Sequence, residues 1–387
     1  GQMRVVIIGS GVIGLTAAYH LLREGVEVTL VDARQAGRGA SEVNAGWVCP
    51  AESGPVPAPG MITQAARWML RRDSPLYIRP SLTPSFLHFM LRMARRCNRT
   101  DYRVGMEALM RLSAGTMDLL DGYRQDGIGF EMHAQGLLMA FLGDARLEAQ
   151  RQDLDIAEAF GLEPTVLVGD EVRAYEPALS ERVVGGVLFP QERHLDPASL
   201  AQGLSHRCRA VGAELVEDAA VEQVERSGAT VRAVVAGERR FEGAAFLLAA
   251  GAWSGPLSRH FGTRLPIRPG KGYSLDLPSG KLPTGKLRRP TYLTEAKVAA
   301  TPFDGRLRLA GTMEFGDLDE RIDPVRVAAI ARAPEAFLRD WQAPPRPELG
   351  AGLRPMSPDG LPLIGRLAGL DNAYVSTGHA MLGLTLA

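Results

Sequence analysis

The sequence predicts an α/β fold: a Rossmann-like dinucleotide-binding domain interleaved with a second domain of mixed antiparallel sheet and helix. Three observations carry this expectation. A strand, glycine turn, helix, strand and acid follow one another over residues 5–32. A second buried strand that ends in a glycine turn lies far along the chain, at 246–251. A third strand, at 373–376, comes after two blocks of mixed strand and helix. A chain of 387 residues also exceeds what one simple core supports. The expected division is 1–60, 190–262 and 346–387 for the nucleotide-binding domain, and 61–189 with 263–345 for the other.

The N-terminal unit is specific at each position. Val5-Val6-Ile7-Ile8 is an apolar β-type run, and Gly9-Ser10-Gly11-Val12-Ile13-Gly14 follows it. Residues 15–23 read as a helix, and Glu27-Val28-Thr29-Leu30-Val31 ends on Asp32. The first glycine permits a tight turn, the second lets backbone approach a pyrophosphate, and the third lets helix and strand pack closely. The helix N-terminus offers free N–H groups and a positive dipole end to phosphates. Asp32, 21 residues beyond Gly11, can bond a ribose hydroxyl pair and argues against a 2′-phosphate. The unit does not distinguish NAD from FAD.

Residues 33–60 are loop-like and rich in glycine and proline, so they are either functional or disordered. Residues 61–125 read as helical, with Leu87, Met90, Leu91 and Met93 as periodic apolar positions. Ten arginines lie between Arg67 and Arg111 against three acids. That block is either a peripheral contact for an anionic membrane surface or a solvated basic face. Residues 128–131 and 136–141 look like paired strands, 144–161 like a helix and 185–189 like a strand. Asp196-Pro197, an N-cap followed by proline, starts a helix to about residue 211. Strands are expected at 213–216, 220–226 and 229–236, before the buried run at 246–251. Residues 267–277 and 307–313 alternate like antiparallel strands. Asp323-Pro324 begins a helix through about Trp341, Pro344-Pro345-Arg346-Pro347 is a linker, and 352–365 reads as a loop.

Composition narrows the function classes. Apolar content of 45% and charged content of 23% are ordinary for a soluble globular protein. A net charge of +0 gives no global field to attract nucleic acid. The three cysteines, Cys49, Cys97 and Cys208, have no zinc-type spacing, so no metal is expected and a reduced, cytoplasmic setting is. No apolar run reaches transmembrane length.

Four segments together resemble the D-amino-acid oxidase-like (DAO) superfamily of FAD-dependent amine oxidoreductases. They are residues 5–32; Gly39-Ala40-Ser41-Glu42-Val43-Asn44-Ala45-Gly46; Leu248-Ala249-Ala250-Gly251-Ala252-Trp253-Ser254; and residues 352–365 followed by Gly378-His379. The segment Lys271-Gly272-Tyr273-Ser274-Leu275 is similar to the bacterial D-amino-acid dehydrogenase branch. The resemblance implies an FAD-binding domain of glutathione-reductase type. It places Gly9, Gly11, Val12, Ile13, Gly14, Asp32, Ala33 and Arg34 on the ADP half. Ser41, Asn44, Ala45 and Gly46 would line the pyrophosphate and flavin, Val221 the adenine side, and Ala250, Gly251 and Trp253 would cross near the cofactor. Gly378, His379, Met381, Leu382, Gly383, Leu384 and Thr385 would close over the isoalloxazine ring, and Arg354 maps to the arginine that fixes a substrate carboxylate.

The residues themselves leave alternatives. Ser41 and Asn44 either donate to phosphate or bond their own backbone as turn formers. Arg354, in an apolar proline-rich segment, needs a partner: a substrate carboxylate or a structural neighbour such as Asp359. His379 either donates to the flavin or is a packed loop histidine, and Tyr273 either reaches the substrate or belongs to the core. Glu314 and His194 are weaker candidates. The position that carries a second arginine in some relatives is Met381, so the second clamp is expected to be absent. Cys49 has no basic neighbour in sequence, so FAD is expected to be non-covalent. In the family a helix continues beyond residues 383–387, of which this sequence carries the first turn. The implied reaction takes hydride from Cα to flavin N5, giving an imino acid and then a 2-oxo acid, with oxygen or a quinone as acceptor. The alternatives are an oxidase of glycine-, sarcosine- or hydroxyproline-type amines, an NAD-dependent dehydrogenase, or a flavoprotein without turnover.

Overall fold

The N-terminal unit is built as its sequence dictates. This computed structural model describes residues 3–52, 54–282 and 287–387. The strand Arg4–Ile8 runs into helix Val12–Arg23, and the strand Glu27–Val31 pairs beside the first in parallel. The helix begins three residues before the stretch expected from its apolar run, because Gly11 serves as N-cap. Ala245–Leu248 pairs in parallel on the other side of Arg4–Ile8, and Ala373–Thr377 follows it. Glu214–Val216 completes one end and Leu363–Arg366, antiparallel, the other, so the sheet holds six strands among the described residues. Val6, Ile7, Leu30, Val31, Phe246 and Leu248 are almost wholly buried, as expected for parallel strands covered on both faces. Helices Val12–Arg23 and Pro197–Ala210 cover one face through Leu15, Ala18, Leu200 and Leu204. The meander Gln223–Ser227, Thr230–Ala236 and Arg239–Glu242 covers the other, and its third strand was not foreseen.

The second, larger sheet is mixed. In order it contains Glu348–Met356, Arg268–Pro278, Arg306–Phe315, Val298–Phe303, Thr291–Leu293, Leu137–Phe141, Gly185–Phe189 and Thr165–Val168. Leu76–Ile78 adds to Met313–Phe315. Arg268–Pro278 and Arg306–Phe315 pair antiparallel, as their alternation predicts. Asp323 caps helix Pro324–Arg332 by accepting from Val325 N at 2.9 Å, and Ile330 packs on Leu275, Leu307 and Leu309.

Several expectations need correction. The expected loop at 352–365 is strand at both ends: Leu363–Arg366 is a strand of the six-stranded sheet, and Glu348–Met356 is the edge strand of the larger sheet. Its glycines misled the reading: a Cβ on Gly352 would stand 2.5 Å from Val43 Cγ2, so glycine is there because helix Ala40–Val43 lies against the strand. Residues 128–131 are not a strand; the short strand just beyond them, Met132–His133, pairs with Arg193–Leu195, and Leu137–Phe141 pairs with Gly185–Phe189 instead. Residues 144–161 form two short helices, Asp144–Arg151 and Leu154–Ala159. The helix after Asp323 stops at Arg332, and a 3-10 turn, Ala333–Ala336, follows. Helix Pro84–Arg95 buries Phe86, Phe89 and Met93, whereas Leu87 and Leu91 face outward. Among the described residues no helix is long and apolar enough to cross a membrane.

Candidate active site

A cavity of about 830 Å³ runs from the C-terminal ends of the parallel strands to the face of the larger sheet. Its first half is the glycine turn. Gly9 has a φ of 108°, and a Cβ there would stand 2.2 Å from Ala249 O. A Cβ on Gly14 would stand 2.0 Å from Gly9 O, so this glycine sets the helix-to-strand distance and does not itself line the cavity. Gly11 lines it, with Ser41 Oγ 3.2 Å from where its Cβ would be. Ser41 Oγ also accepts from Val12 N at 3.2 Å, satisfying one free donor of the helix N-terminus.

Asp32 is already engaged. One carboxylate oxygen accepts from Ser10 N and Ser10 Oγ, both at 2.7 Å, and the other from Arg34 N at 2.8 Å. These bonds lock the turn without using all the carboxylate's lone pairs, and the cavity wall includes Val12, Ile13, Asp32, Ala33 and Arg34. Arg34 lies over the Trp253 ring at 4.7 Å and forks onto Glu320 at 3.0 and 2.6 Å, which raises its pKa. That pair ties the nucleotide-binding turn to the segment after Arg306–Phe315. Asn44 takes the turn-former role: Oδ1 accepts from Gly46 N at 2.7 Å. Gly46 packs under Leu195 O, outside the wall, and Gly378 is outside it too. Ser41, Asn44, Ala45, Val221, Ala250, Gly251 and Trp253 all contribute to the wall.

The other half is lined by Arg354, Tyr273 and His379. Arg354 stands in the cavity wall, where burial pushes its pKa down to about 10, so it stays cationic at neutral pH. Its Nη1 donates to Thr312 O at 2.8 Å, and no ion pair with Asp359 or any other described carboxylate exists. Asp359 instead accepts from Ser357 Oγ and Leu361 N. Met106, Met139, Phe141 and Tyr292 provide an apolar wall. His379 is 3% exposed, its Nδ1 has no hydrogen-bond partner, and burial drops its pKa to about 4, so the ring is neutral. Tyr273 is 1% exposed; its hydroxyl donates to Glu314 Oε2 at 3.1 Å, which together with burial raises its pKa. Glu314 also faces Lys271 at 3.9 Å and Arg326 at 3.4 Å. Glu314 and His194 are not part of the wall, and His194 Nε2 lies 2.9 Å from Pro302 O. Met381 is 59% exposed at the rim, and Leu382, Gly383, Leu384 and Thr385 continue the wall. Thr385 Oγ1 accepts from Cys49 N at 3.1 Å. Sequence reasoning missed Thr312 and Gly272, both in the wall beside Arg354.

A glycine cradle, an acid at its mouth and a buried histidine with an unused ring nitrogen fit an ADP-bearing redox group. The chain belongs to the family of FAD-dependent oxidoreductases (DAO), whose profile matches residues 4–387, and its cofactor is FAD. It is 34% identical over 394 residues to a D-amino acid dehydrogenase of Chromohalobacter salexigens, covering all of this chain and 93% of that one. It is 31% identical over 393 residues to a D-amino acid dehydrogenase of Vibrio atlanticus, with the same coverage, 100% and 93%. Among solved structures, glycine oxidase from Geobacillus kaustophilus superposes with a TM-score of 0.77 at 20% identity, covering 100% and 92% of the two chains. Iminodiacetate oxidase from Chelativorans sp. BNC1 does so with 0.73 at 21%, covering 99% and 92%.

Proposed function

We propose that this chain oxidises a D-amino acid to an imino acid that water converts to a 2-oxo acid and ammonia, or a related secondary-amine acid to the corresponding (cyclic) imine. The observation that carries this reading is Arg354, a guanidinium in the cavity wall with no carboxylate partner among the described residues. A buried charge without a counter-ion is costly, and a planar guanidinium meets a carboxylate through two parallel hydrogen bonds. The relatives named D-amino acid dehydrogenase support the substrate class. Bound FAD supplies the two-electron acceptor for a hydride leaving Cα. Arg354 holds the substrate carboxylate and so turns Cα–H toward the cofactor. Met106, Met139, Phe141 and Tyr292 exclude water. His379, neutral and buried, offers a ring nitrogen to the cofactor, while Tyr273 braces the wall through Glu314. No protein acid or base is required.

An anaerobic titration of the holoenzyme with D- and L-amino acids, glycine, sarcosine and proline tests this reading. Bleaching of the flavin band near about 450 nm by D-amino acids supports it. Bleaching by glycine or sarcosine alone moves the assignment to the amine oxidases. FAD is held non-covalently in this reading, so acid precipitation should release the flavin into the supernatant.

A second reading concerns the electron acceptor, which we infer to be a membrane quinone. Leu70 and Leu82 are 88% and 91% exposed within the block that carries the ten arginines, and Leu87 and Leu91 face outward beside them. Apolar side chains among cations suit an anionic lipid surface. Flotation with phosphatidylglycerol vesicles at low salt, reversed at high salt, is the expected result. Rapid reoxidation of the reduced enzyme by air-saturated buffer would instead make it an oxidase.

A further inference from the structure

Strands Arg268–Pro278 and Arg306–Phe315 pair regularly except at one place. Lys271 faces Glu314 and Tyr273 faces Gly311, so two steps on one strand meet three on the other. The extra residue is a β-bulge, and Thr312 within it has a φ of 69°. A β-branched residue in the left-handed region is strained. Here the bulge turns the Thr312 carbonyl onto Arg354 Nη1 at 2.8 Å. The same bulge is where the strand changes partner, from Val298–Phe303, whose pairing ends at Gly311, to Leu76–Ile78, whose pairing begins at Met313.

Across the bulge lies Gly272, in register with Gly352 on the neighbouring strand. A Cβ on Gly272 would stand 2.2 Å from Arg354 Nη2, 2.5 Å from Cζ and 2.8 Å from Nη1. Three guanidinium atoms so close to one missing methyl mean that the flat face of the group rests on the glycine backbone. Among the described residues Nη2 and Nε make no hydrogen bond; only Nη1 is used, with Thr312 O and, at 3.8 Å, Met313 Sδ.

We propose that Gly272 and the bulge at Thr312 are positioning residues for Arg354: the glycine is the bed that fixes the plane of the guanidinium, and the carbonyl tethers one nitrogen so that the remaining edge faces an incoming carboxylate. This rests on the reading of Arg354 as the carboxylate anchor. Any side chain at 272 displaces the group that orients the substrate, so glycine here is a requirement of recognition and not of the sheet.

The test uses Gly272→Ala holoenzyme. The atoms in the way belong to the flexible end of one arginine, so the variant folds by moving the guanidinium. Benzoate, a carboxylate with no α-hydrogen to lose, is the probe, and benzamide is the uncharged control; binding is read from perturbation of the flavin spectrum. The expected result is benzoate affinity weaker by about tenfold or more, unchanged benzamide binding, and unchanged FAD content. With substrate, KM should rise far more than kcat falls. In an Arg354→Ala background Gly272→Ala should cost nothing further, because both act through one group. Wild-type benzoate affinity in Gly272→Ala, or an equal loss in the Arg354→Ala background, overturns the proposal. If Arg354→Ala alone leaves benzoate binding intact, the carboxylate-anchor reading itself fails, which is a separate outcome.

Discussion

Arg354 and Asp32 bracket the cavity, and each can be tested alone. Arg354→Ala should raise KM strongly and lower kcat/KM by the loss of a desolvated charged pair, about 2–5 kcal/mol, while FAD content stays at wild type. Arg354→Lys keeps the charge but loses the planar fork, so it should recover only part of the loss. Unchanged steady-state kinetics in Arg354→Ala would remove this residue from the site. Asp32 has a different signature, because its carboxylate holds Ser10 and the Arg34 amide before any ribose arrives. Asp32→Ala should therefore lower both flavin retention and the melting temperature of the apoprotein. A change in flavin retention alone would assign Asp32 to the ribose only.

At the scale of elements, the glycine turn separates roles that the motif merges. A Cβ on Gly14 meets backbone at 2.0 Å and one on Gly9 meets backbone at 2.2 Å, and neither strand nor helix can yield. A Cβ on Gly11 meets only Ser41 Oγ, at 3.2 Å. Gly14→Ala should thus give misfolded protein, whereas Gly11→Ala should fold, keep its far-ultraviolet circular dichroism and lose FAD affinity. Soluble, yellow Gly14→Ala protein would contradict this packing argument. The contrast also shows what sequence could reveal. Residues 4–32, 197–210, 245–248 and 373–377 were legible because period, caps and glycines all agree there. The strand Glu348–Met356 was not, since its glycines answer contacts with Val43 and Ser274, more than seventy residues away. The same holds at the site. Arg354 was legible as an arginine out of place among apolar and proline residues, but nothing local to Thr312 announces a left-handed bulge, and Gly272 has meaning only once Arg354 lies on it. In helix Pro84–Arg95 both faces carry large apolar residues, so periodicity alone could not choose the buried one.

Across the whole molecule, buried histidines couple stability to pH. His379, in the C-terminal loop, and His194, in the small sheet, both have pKa values pushed down to about 4 by burial, against 6.5 when unfolded. Burial, with Arg23 beside it, lowers His20 as well. As pH falls below 6.5 the unfolded chain takes up protons that the native rings refuse, so stability drops steadily until about pH 4. Glu176 acts in the opposite sense: burial raises its pKa, so its native form gains a proton first and stabilises the fold as pH falls. Two strongly lowered histidines against one raised carboxyl leave a net loss, with each histidine contributing up to about 1.4 kcal/mol per pH unit. Thermal melts of the apoprotein should show Tm falling from pH 7 to pH 5. His194→Gln can keep a donor toward Pro302 O without a titrating ring, and it should reduce that slope while leaving activity at pH 8 intact, because His194 lies outside the cavity wall. His379→Gln should reduce the slope too, but at the expense of the flavin site. An apoprotein Tm that stays level between pH 7 and pH 5, or a His194→Gln variant with the wild-type slope, would show that these rings are not held neutral by the fold.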